Sequence, residues 1–219
     1  MVNFTPKGDT ARIFMQFFPD VPADLSDVAP HGLALGIGSF RTGQIDVFTT
    51  YSTEWQSLYH ERKWLNRDPA VIIGLRGPGV HHWTAETIQD PEFKDACFGY
   101  GLKSGTSITD TIAGSSCLVG LTTNDTPSDA AIEAATRAVR EAHMGYLTSK
   151  AQLLHPQHID VVYLAAKGYR AKEISAKLEI SEETVKQRKA SIQSRIGVNN
   201  FTTAVNICAI AGLTLHPIK

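Results

Sequence analysis

The chain has 219 residues, of which 42% are hydrophobic and 20% charged, and its formal net charge at pH 7 is −1. This composition is typical of an ordinary soluble globular protein. The sequence contains no apolar run of about 18 residues and no N-terminal secretory pattern, so neither a membrane span nor a signal peptide is predicted. Three widely spaced cysteines, Cys97, Cys117 and Cys208, favour reduced thiols in the cytoplasm over a disulfide framework.

The first half of the chain mixes helix and strand signals. Three helices are predicted. The first covers Thr10–Phe18 and is stopped by Pro19, the second begins after Thr53, which can cap it, and the third covers Pro91–Tyr100. Strands are predicted over Gly32–Phe40, Gln44–Tyr51, Thr106–Thr111 and Ser116–Thr123. Because these strands pair as two hairpins, we expect an α/β domain in which helices sandwich an antiparallel sheet.

The second half is predicted to be helical. Ser128 can cap a long helix that ends near Leu154, and Pro156 suits the first turn of a new helix. Residues 1–152 are therefore expected to form the α/β domain, and residues 156–219 an all-α domain of four helices. Those helices are predicted over Pro156–Lys167, Arg170–Leu178, the segment from Ser181 to Gly197, and Thr202–Ala211.

The C-terminal segment is also the basic part of the chain. Residues 155–219 contain nine Lys/Arg and five Asp/Glu, whereas residues 1–154 contain twelve and seventeen. A polyanion would therefore bind at the C-terminal end, although such mild basicity is also common on surfaces that bind nothing.

Within this segment, two predicted helices joined by a tight turn form the smallest unit that can read DNA in the major groove. Residues 171–178 would brace the second helix, whose Val185, Ile192 and Ile196 form one buried face. The candidate DNA-binding residues of the second helix are Thr184, Lys186, Gln187, Arg188, Lys189, Ala190 and Gln193. A basic helix face taken alone is as often merely solvated.

The order and spacing of residues 165–213 resemble the C-terminal domain of LuxR-type regulators. The resemblance rests on Glu173-Ile174, on Ile180-Ser181-x-x-Thr184-Val185-Lys186 and on the closing Ala204-Val205 and Gly212-Leu213, although His158 stands where the family usually has Glu. It implies a homodimer on a palindromic double-stranded promoter site, with RNA polymerase as a candidate partner. Small residues on one side of the long helix suggest a contact between two chains: Ala131, Ala135, Ala138 and Ala142.

A second pattern, Tyr51-x3-Trp55-x3-Tyr59-x8-Asp68-Pro69-x13-Trp83, resembles the acyl-homoserine-lactone-binding domain of quorum-sensing LuxR-type receptors. By this resemblance Asp68 accepts from the ligand amide, Trp55 donates to the lactone carbonyl and Tyr51 donates to the acyl carbonyl. Trp83 and Tyr59 would be aromatic walls. Each residue also has a purely structural interpretation: Trp55 and Tyr59 as helix core, and Asp68 as a loop cap.

Other functions fit less well. His81-His82 and His155-x2-His158 lack a third metal ligand, and Gly36-x-Gly38 lacks the rest of a phosphate loop. We therefore expect no enzyme, no metal and no cofactor. Two alternatives to a lactone-responsive regulator stay open: a receptor for a different small molecule, and a ligand-independent anti-activator that pairs with a true receptor.

Overall fold

The computed structural model describes residue 29 and residues 31–215, which form two compact units. One unit comprises the described residues up to Thr111 together with Ser116–His143, and the other comprises Ile112–Ser115 and the described residues from Met144 onwards. The functional boundary near residues 152–156 stays a prediction. The helix predicted over Thr10–Phe18 lies outside the described residues.

The first unit is built on a five-stranded sheet with the strand order β2-β1-β5-β4-β3. Its strands are β1 (Leu33–Ser39), β2 (Gln44–Thr49), β3 (Gly79–Thr84), β4 (Ser104–Ile112) and β5 (Ser115–Thr122). β1 runs antiparallel to β2 and β5, and β3 runs antiparallel to β4. The predicted antiparallel sheet is therefore confirmed, with β3 as a strand that the sequence pattern did not predict.

The three short helices of the first unit are α1 (Thr53–Glu61), α2 (Pro69–Gly74) and α3 (Pro91–Gly99). The prediction that Thr53 caps α1 is wrong: Ser52 is the N-cap, and its Oγ accepts from the Trp55 N–H at 3.2 Å. Asp68 and Asp90 cap α2 and α3, and in each case a proline follows, which suits the first helical position.

The long helix α4 (Asp129–Gln152) begins as predicted, because the Ser128 Oγ accepts from the Ala131 N–H at 3.3 Å. On its inner side, His143 bonds through Nδ1 to the Asp110 carboxylate of β4 at 2.7 Å. Ala135 and Ala142 are each only 2% exposed within this one chain. At those two positions the small-residue side suggested for a contact between chains is therefore already used for packing inside the chain.

The second unit contains the four predicted helices: α5 (Pro156–Ala166), α6 (Ala171–Leu178), α7 (Glu182–Ile196) and α8 (Phe201–Ile210). Ser181 caps α7 by accepting from the Thr184 N–H at 3.0 Å, and Gly197, with a φ of 92°, ends it. The buried face predicted for α7 is confirmed, since Val185, Ile192 and Ile196 are completely buried.

Candidate functional site

A cavity of about 130 Å³ lies in the first unit, between the sheet and helices α1 to α3. The structure places all five predicted ligand-binding residues along it: Tyr51, Trp55, Tyr59, Asp68 and Trp83. Two of these residues lie in α1, one lies in β3, and the other two lie in the segments just before α1 and α2, so the fold brings together residues that span 33 positions of the sequence. Their role in binding a ligand stays a prediction.

Aromatic rings form one wall of the cavity. The Trp55 ring lies within 6.5 Å of the rings of Tyr51, Tyr59 and Phe93, measured between centroids. Trp64 packs against Phe93 with 4.8 Å between ring centroids and is fully buried. Phe93 was not predicted to line the cavity, although its place one turn before Cys97 on a predicted helix is a signal for an inward-facing position.

Asp68 is the only carboxylate among the described residues that line the cavity. Its Oδ1 accepts from the Ala70 N–H at 2.8 Å, and its Oδ2 accepts from the Tyr59 hydroxyl at 2.9 Å. Burial raises the pKa of Asp68, and these hydrogen bonds oppose that rise only in part. The carboxylate is thus held in a fixed orientation and retains lone pairs that a further donor can use.

A second polar pair lies across the cavity, where the Tyr51 hydroxyl and the Thr122 Oγ1 of β5 are 2.6 Å apart. Burial raises the pKa of Tyr51, so its hydroxyl stays protonated. Thr122 also lines the cavity, and sequence reasoning missed it. When Thr122 donates to the Tyr51 oxygen, the tyrosine proton is free to bond a carbonyl oxygen in the cavity.

The strand order gives the cavity two unlike ends. Ile45 and Val47 of β2 line it at one edge of the sheet, and Trp83 of β3 lines it at the opposite edge. Neighbouring strands are about 4.8 Å apart, so the cavity extends beneath several strands. Ile45 and Val47 make the β2 end mainly apolar, although Thr49 of β2 also lines it, and Asp68, Tyr59 and Tyr51 supply hydrogen-bonding groups to the cavity. Such a cavity suits an elongated molecule with an apolar tail and a polar head.

In the second unit, the predicted DNA-binding residues lie on α7. Lys186, Gln187 and Ala190 are exposed, and the Lys186 Nζ lies 3.5 Å from the Glu183 carboxylate. The Thr184 hydroxyl is 2.8 Å from the Ser181 Oγ, so its side chain takes part in capping the helix. Lys186, Gln187 and Ala190 therefore present side chains to solvent that a DNA groove could accept.

Two other predicted DNA-binding residues turn toward neighbouring helices. The Arg188 guanidinium donates to the Gln157 carbonyl oxygen of α5 at 3.4 Å, and the Lys189 Nζ lies 4.7 Å from the centre of the Phe201 ring of α8. Both side chains therefore reach across to neighbouring helices, α5 for Arg188 and α8 for Lys189.

The part of the chain that the structure describes contains no group of three His, Cys, Asp or Glu side chains that could hold a metal ion. Nor does any helix in residues 31–215 combine the length and the apolar character needed to cross a membrane.

Comparison with known proteins adds a family for the second unit. Residues 152–208 match the model of the family described as bacterial regulatory proteins, luxR family. The C-terminal helices are thus similar to those of the luxR family of bacterial regulatory proteins. Because the matched family is one of regulatory proteins, this similarity agrees with the prediction that the chain is not an enzyme. No curated protein sequence matches this chain significantly.

Two solved structures of SdiA share the fold of this chain. Escherichia coli SdiA, in a crystal structure, is 17% identical with a TM-score of 0.51, and the match covers 95% of this chain and 98% of SdiA. SdiA in complex with octanoyl-rac-glycerol is also 17% identical with a TM-score of 0.51, over 99% of both chains. CepR2 from Burkholderia cenocepacia, described as an N-acylhomoserine-lactone-dependent LuxR family transcription factor, is 17% identical with a TM-score of 0.44 over 63% of this chain and 93% of CepR2. The likeness to SdiA shows that the predicted two-part fold is correct.

Proposed function

We propose that this protein is a ligand-responsive transcription regulator that binds an N-acyl-homoserine lactone in the first unit and promoter DNA through α7. The observation that carries the proposal is the Asp68 carboxylate, buried in a cavity lined by Tyr51, Trp55 and Tyr59, in a chain whose C-terminal helices are similar to those of the luxR family. A homodimer and contact with RNA polymerase accompany the proposal as predictions from the resemblance, and a cytoplasmic location accompanies it as a prediction from the three widely spaced cysteines.

The chemistry of the lactone matches the groups along the cavity. Its amide N–H needs an acceptor, which Asp68 supplies through lone pairs left by Ala70 and Tyr59. Its acyl carbonyl needs a donor, which Tyr51 supplies when Thr122 donates to the tyrosine oxygen. The acyl tail would extend toward Ile45 at the apolar edge of the sheet.

The test of ligand binding is thermal unfolding of the whole chain with N-acyl-homoserine lactones of several chain lengths. A ligand that binds only the folded form adds about 2.7 kcal/mol of stability at a hundredfold excess over its Kd. We therefore expect a higher Tm with at least one lactone. An unchanged Tm with every lactone at saturating concentrations would contradict the proposed ligand and favour a receptor for another molecule or a ligand-independent regulator.

The test of DNA binding is fluorescence anisotropy with a palindromic promoter duplex and a scrambled duplex of equal length. We expect the promoter duplex to bind more tightly at every salt concentration, since base contacts add to contacts with the phosphates. Equal affinity for the two duplexes would contradict sequence-specific binding through α7.

A further inference from the structure

Four basic side chains lie together in the second unit, where the start of α5 meets one side of α7. They are His155 and His158 at the α5 end and Arg188 and Arg195 on α7, and we call them the basic corner. The two imidazole rings are 6.3 Å apart between centroids. Both arginines lie close enough to His158 for their charges to act on its imidazole. The corner is thus one cluster built from two helices.

Arg188 ties α7 to the start of α5 without meeting a carboxylate. Its guanidinium donates to the Gln157 carbonyl oxygen and to the Gln157 Oε1, each at 3.4 Å. Because Gln157 precedes His158 directly in sequence, these bonds hold the guanidinium beside the corner's imidazoles. Both acceptors are neutral and both bonds are long, so the positive charge of Arg188 stays available to an anion.

The chain itself does not neutralise the basic corner. None of the ion pairs formed among the described residues includes one of its members. Burial lowers the pKa of His158, and the charges around it lower that pKa further. Those charges are Arg195 and Arg188 of α7 and His155 at the start of α5, and all of them are cations. On α5, the acidic residue nearest in sequence is Asp160, and side chains two residues apart on a helix do not face each other.

The basic corner is open to solvent. His155 and Arg195 are exposed, while His158 and Arg188 are half-buried. The Nδ1 of His158 is enclosed and has no hydrogen-bond partner, so Nε2 is the atom of this ring that can meet a ligand. The Nδ1 of His155 accepts from the Gln157 N–H at 3.3 Å, so this ring carries its proton on Nε2 and can donate it. Imidazole and guanidinium donors thus converge on a surface that an anion can reach.

The position of the corner on α7 favours a DNA phosphate as that anion. Arg188 and Arg195 are seven residues apart, so they lie on one side of α7, about 10 Å from each other along its axis. That side faces α5, whereas Lys186 and Ala190 are exposed on the side that we expect to enter the major groove. Phosphates border the groove on both sides, and basic side chains on the flank of a reading helix contact them. An open site of this length suits an extended polyanion better than a single small anion.

We propose that the basic corner binds a phosphate of the DNA backbone beside α7, and that this binding tightens when His158 takes up a proton. The inference deepens the DNA binding of the proposed function and rests on it. A backbone phosphate stays ionised through the neutral and mildly acidic range, in which histidine changes its charge. Lowering the pH therefore adds a positive charge next to a constant negative one. The gain should be the same for every duplex, because phosphate contacts carry no sequence information.

The experiment measures the Kd of the whole chain for the promoter duplex and the scrambled duplex by anisotropy, at about pH 8 and about pH 5.5, over a series of salt concentrations. Wild-type protein should bind both duplexes about tenfold more tightly at the lower pH, since a phosphate beside His158 favours its charged form. His158→Gln should remove most of this pH dependence. Arg195→Ala should weaken both duplexes equally and lower the slope of log Kd against log salt concentration by about one.

His158→Glu separates DNA binding from folding. A carboxylate at this position would pair with Arg188 and Arg195, so the Tm of the variant should not fall. The same carboxylate would occupy the arginines and repel a phosphate, so both duplexes should bind more than about tenfold more weakly, without the pH dependence. If His158 were merely structural, a variant with an undiminished Tm would bind DNA as the wild-type protein does, and that result would overturn the proposal.

Two variants of the first unit are the matched controls. His31→Gln and Arg76→Ala remove an exposed histidine and an exposed arginine that lie outside the second unit. Each should keep the wild-type pH dependence and the wild-type salt slope. Circular dichroism at both pH values shows whether each protein is folded.

Three further results would contradict the proposal. Wild-type affinity that does not change with pH would overturn it, as would a pH dependence that His158→Gln leaves intact. Inorganic phosphate tests for a free anion: calorimetric binding that Arg195→Ala abolishes, with unchanged DNA affinity of that variant, would also overturn it. In each case the proposed function stands if the promoter duplex still binds more tightly than the scrambled one. Wild-type protein that binds neither duplex would overturn both.

Discussion

Replacing Asp68 by asparagine separates the two roles that the structure gives this side chain. The Asp68 carboxylate caps α2 through the Ala70 N–H, and it accepts from the Tyr59 hydroxyl inside the cavity. Asparagine is an equally good N-cap, so its side-chain oxygen can keep the bond to Ala70. Its amide nitrogen can donate to the Tyr59 oxygen but cannot accept from a ligand amide. We therefore expect Asp68→Asn to fold and to lose ligand affinity.

The size of the loss follows from the kind of hydrogen bond removed. A hydrogen bond to a charged group contributes about 1.5–3 kcal/mol, which corresponds to a Kd about 10- to 150-fold weaker.

The pH dependence of ligand affinity is a second expected difference between the wild-type protein and Asp68→Asn. Burial raises the pKa of Asp68, and the ligand N–H prefers the ionised form, so wild-type affinity should fall as the pH is lowered into the range where Asp68 is protonated. Asp68→Asn should bind with little dependence on pH.

Calorimetry with N-octanoyl-homoserine lactone across a pH series would measure both effects. Asp90→Asn is the matched control, because Asp90 caps α3 in the same way, accepting from the Phe93 N–H, and does not line the cavity. It should leave the Kd unchanged. A Kd for Asp68→Asn within about twofold of the wild-type value would refute the reasoning, since the carboxylate would then not be a ligand acceptor.

Three further predictions concern DNA binding and stability. Lys186→Ala should cost about 1–3 kcal/mol on the cognate duplex and leave random-duplex affinity nearly unchanged in anisotropy titrations; equal losses on both would make Lys186 a phosphate contact. Ser181→Ala should lower the stability of the second unit by about 1 kcal/mol in denaturant unfolding, because the Thr184 N–H loses its cap, whereas an unchanged midpoint would argue against that cap. Burial lowers the pKa of His143 below its ordinary 6.5, so the unfolded chain binds the proton more readily and stability should fall as the pH drops below about 6.5. His143→Asn, which can still donate to Asp110, should weaken this fall in Tm, and an identical pH profile for both proteins would count against it.

The parts of the fold that were predictable from sequence carry strong local signals. Helices α4 to α8 combine an apolar period with caps such as Ser128 and Ser181, and two hairpins have clear turns. Strand β3 was missed because His81 and His82 interrupt the usual alternation, and α2 was missed because its six residues are too few for a helical period. Its N-cap Asp68 and its first residue Pro69 were interpreted only as a loop or ligand position.

The candidate site was predictable where its residues lie near one another in sequence. Tyr51, Trp55 and Tyr59 are spaced at helical intervals, and the pattern continues to Asp68. Thr122 was not predictable, since it pairs with Tyr51 from a strand 71 residues away and only the sheet topology brings the two together. The turning of Arg188 and Lys189 toward neighbouring helices also depends on tertiary packing, which a single helix pattern does not contain.

The close approach of α2 to the sheet has a consequence for how this protein could change its ligand over time. Gly74 lines no part of the cavity, but a β-carbon there would collide with the side chain of Leu118, which does line it. A mutation from glycine to alanine at this position would therefore push Leu118 aside or lift α2, and either movement alters the space inside. A residue that does not itself line the cavity thus influences the volume available to a ligand, and selection could adjust ligand size there without replacing any residue that lines the cavity.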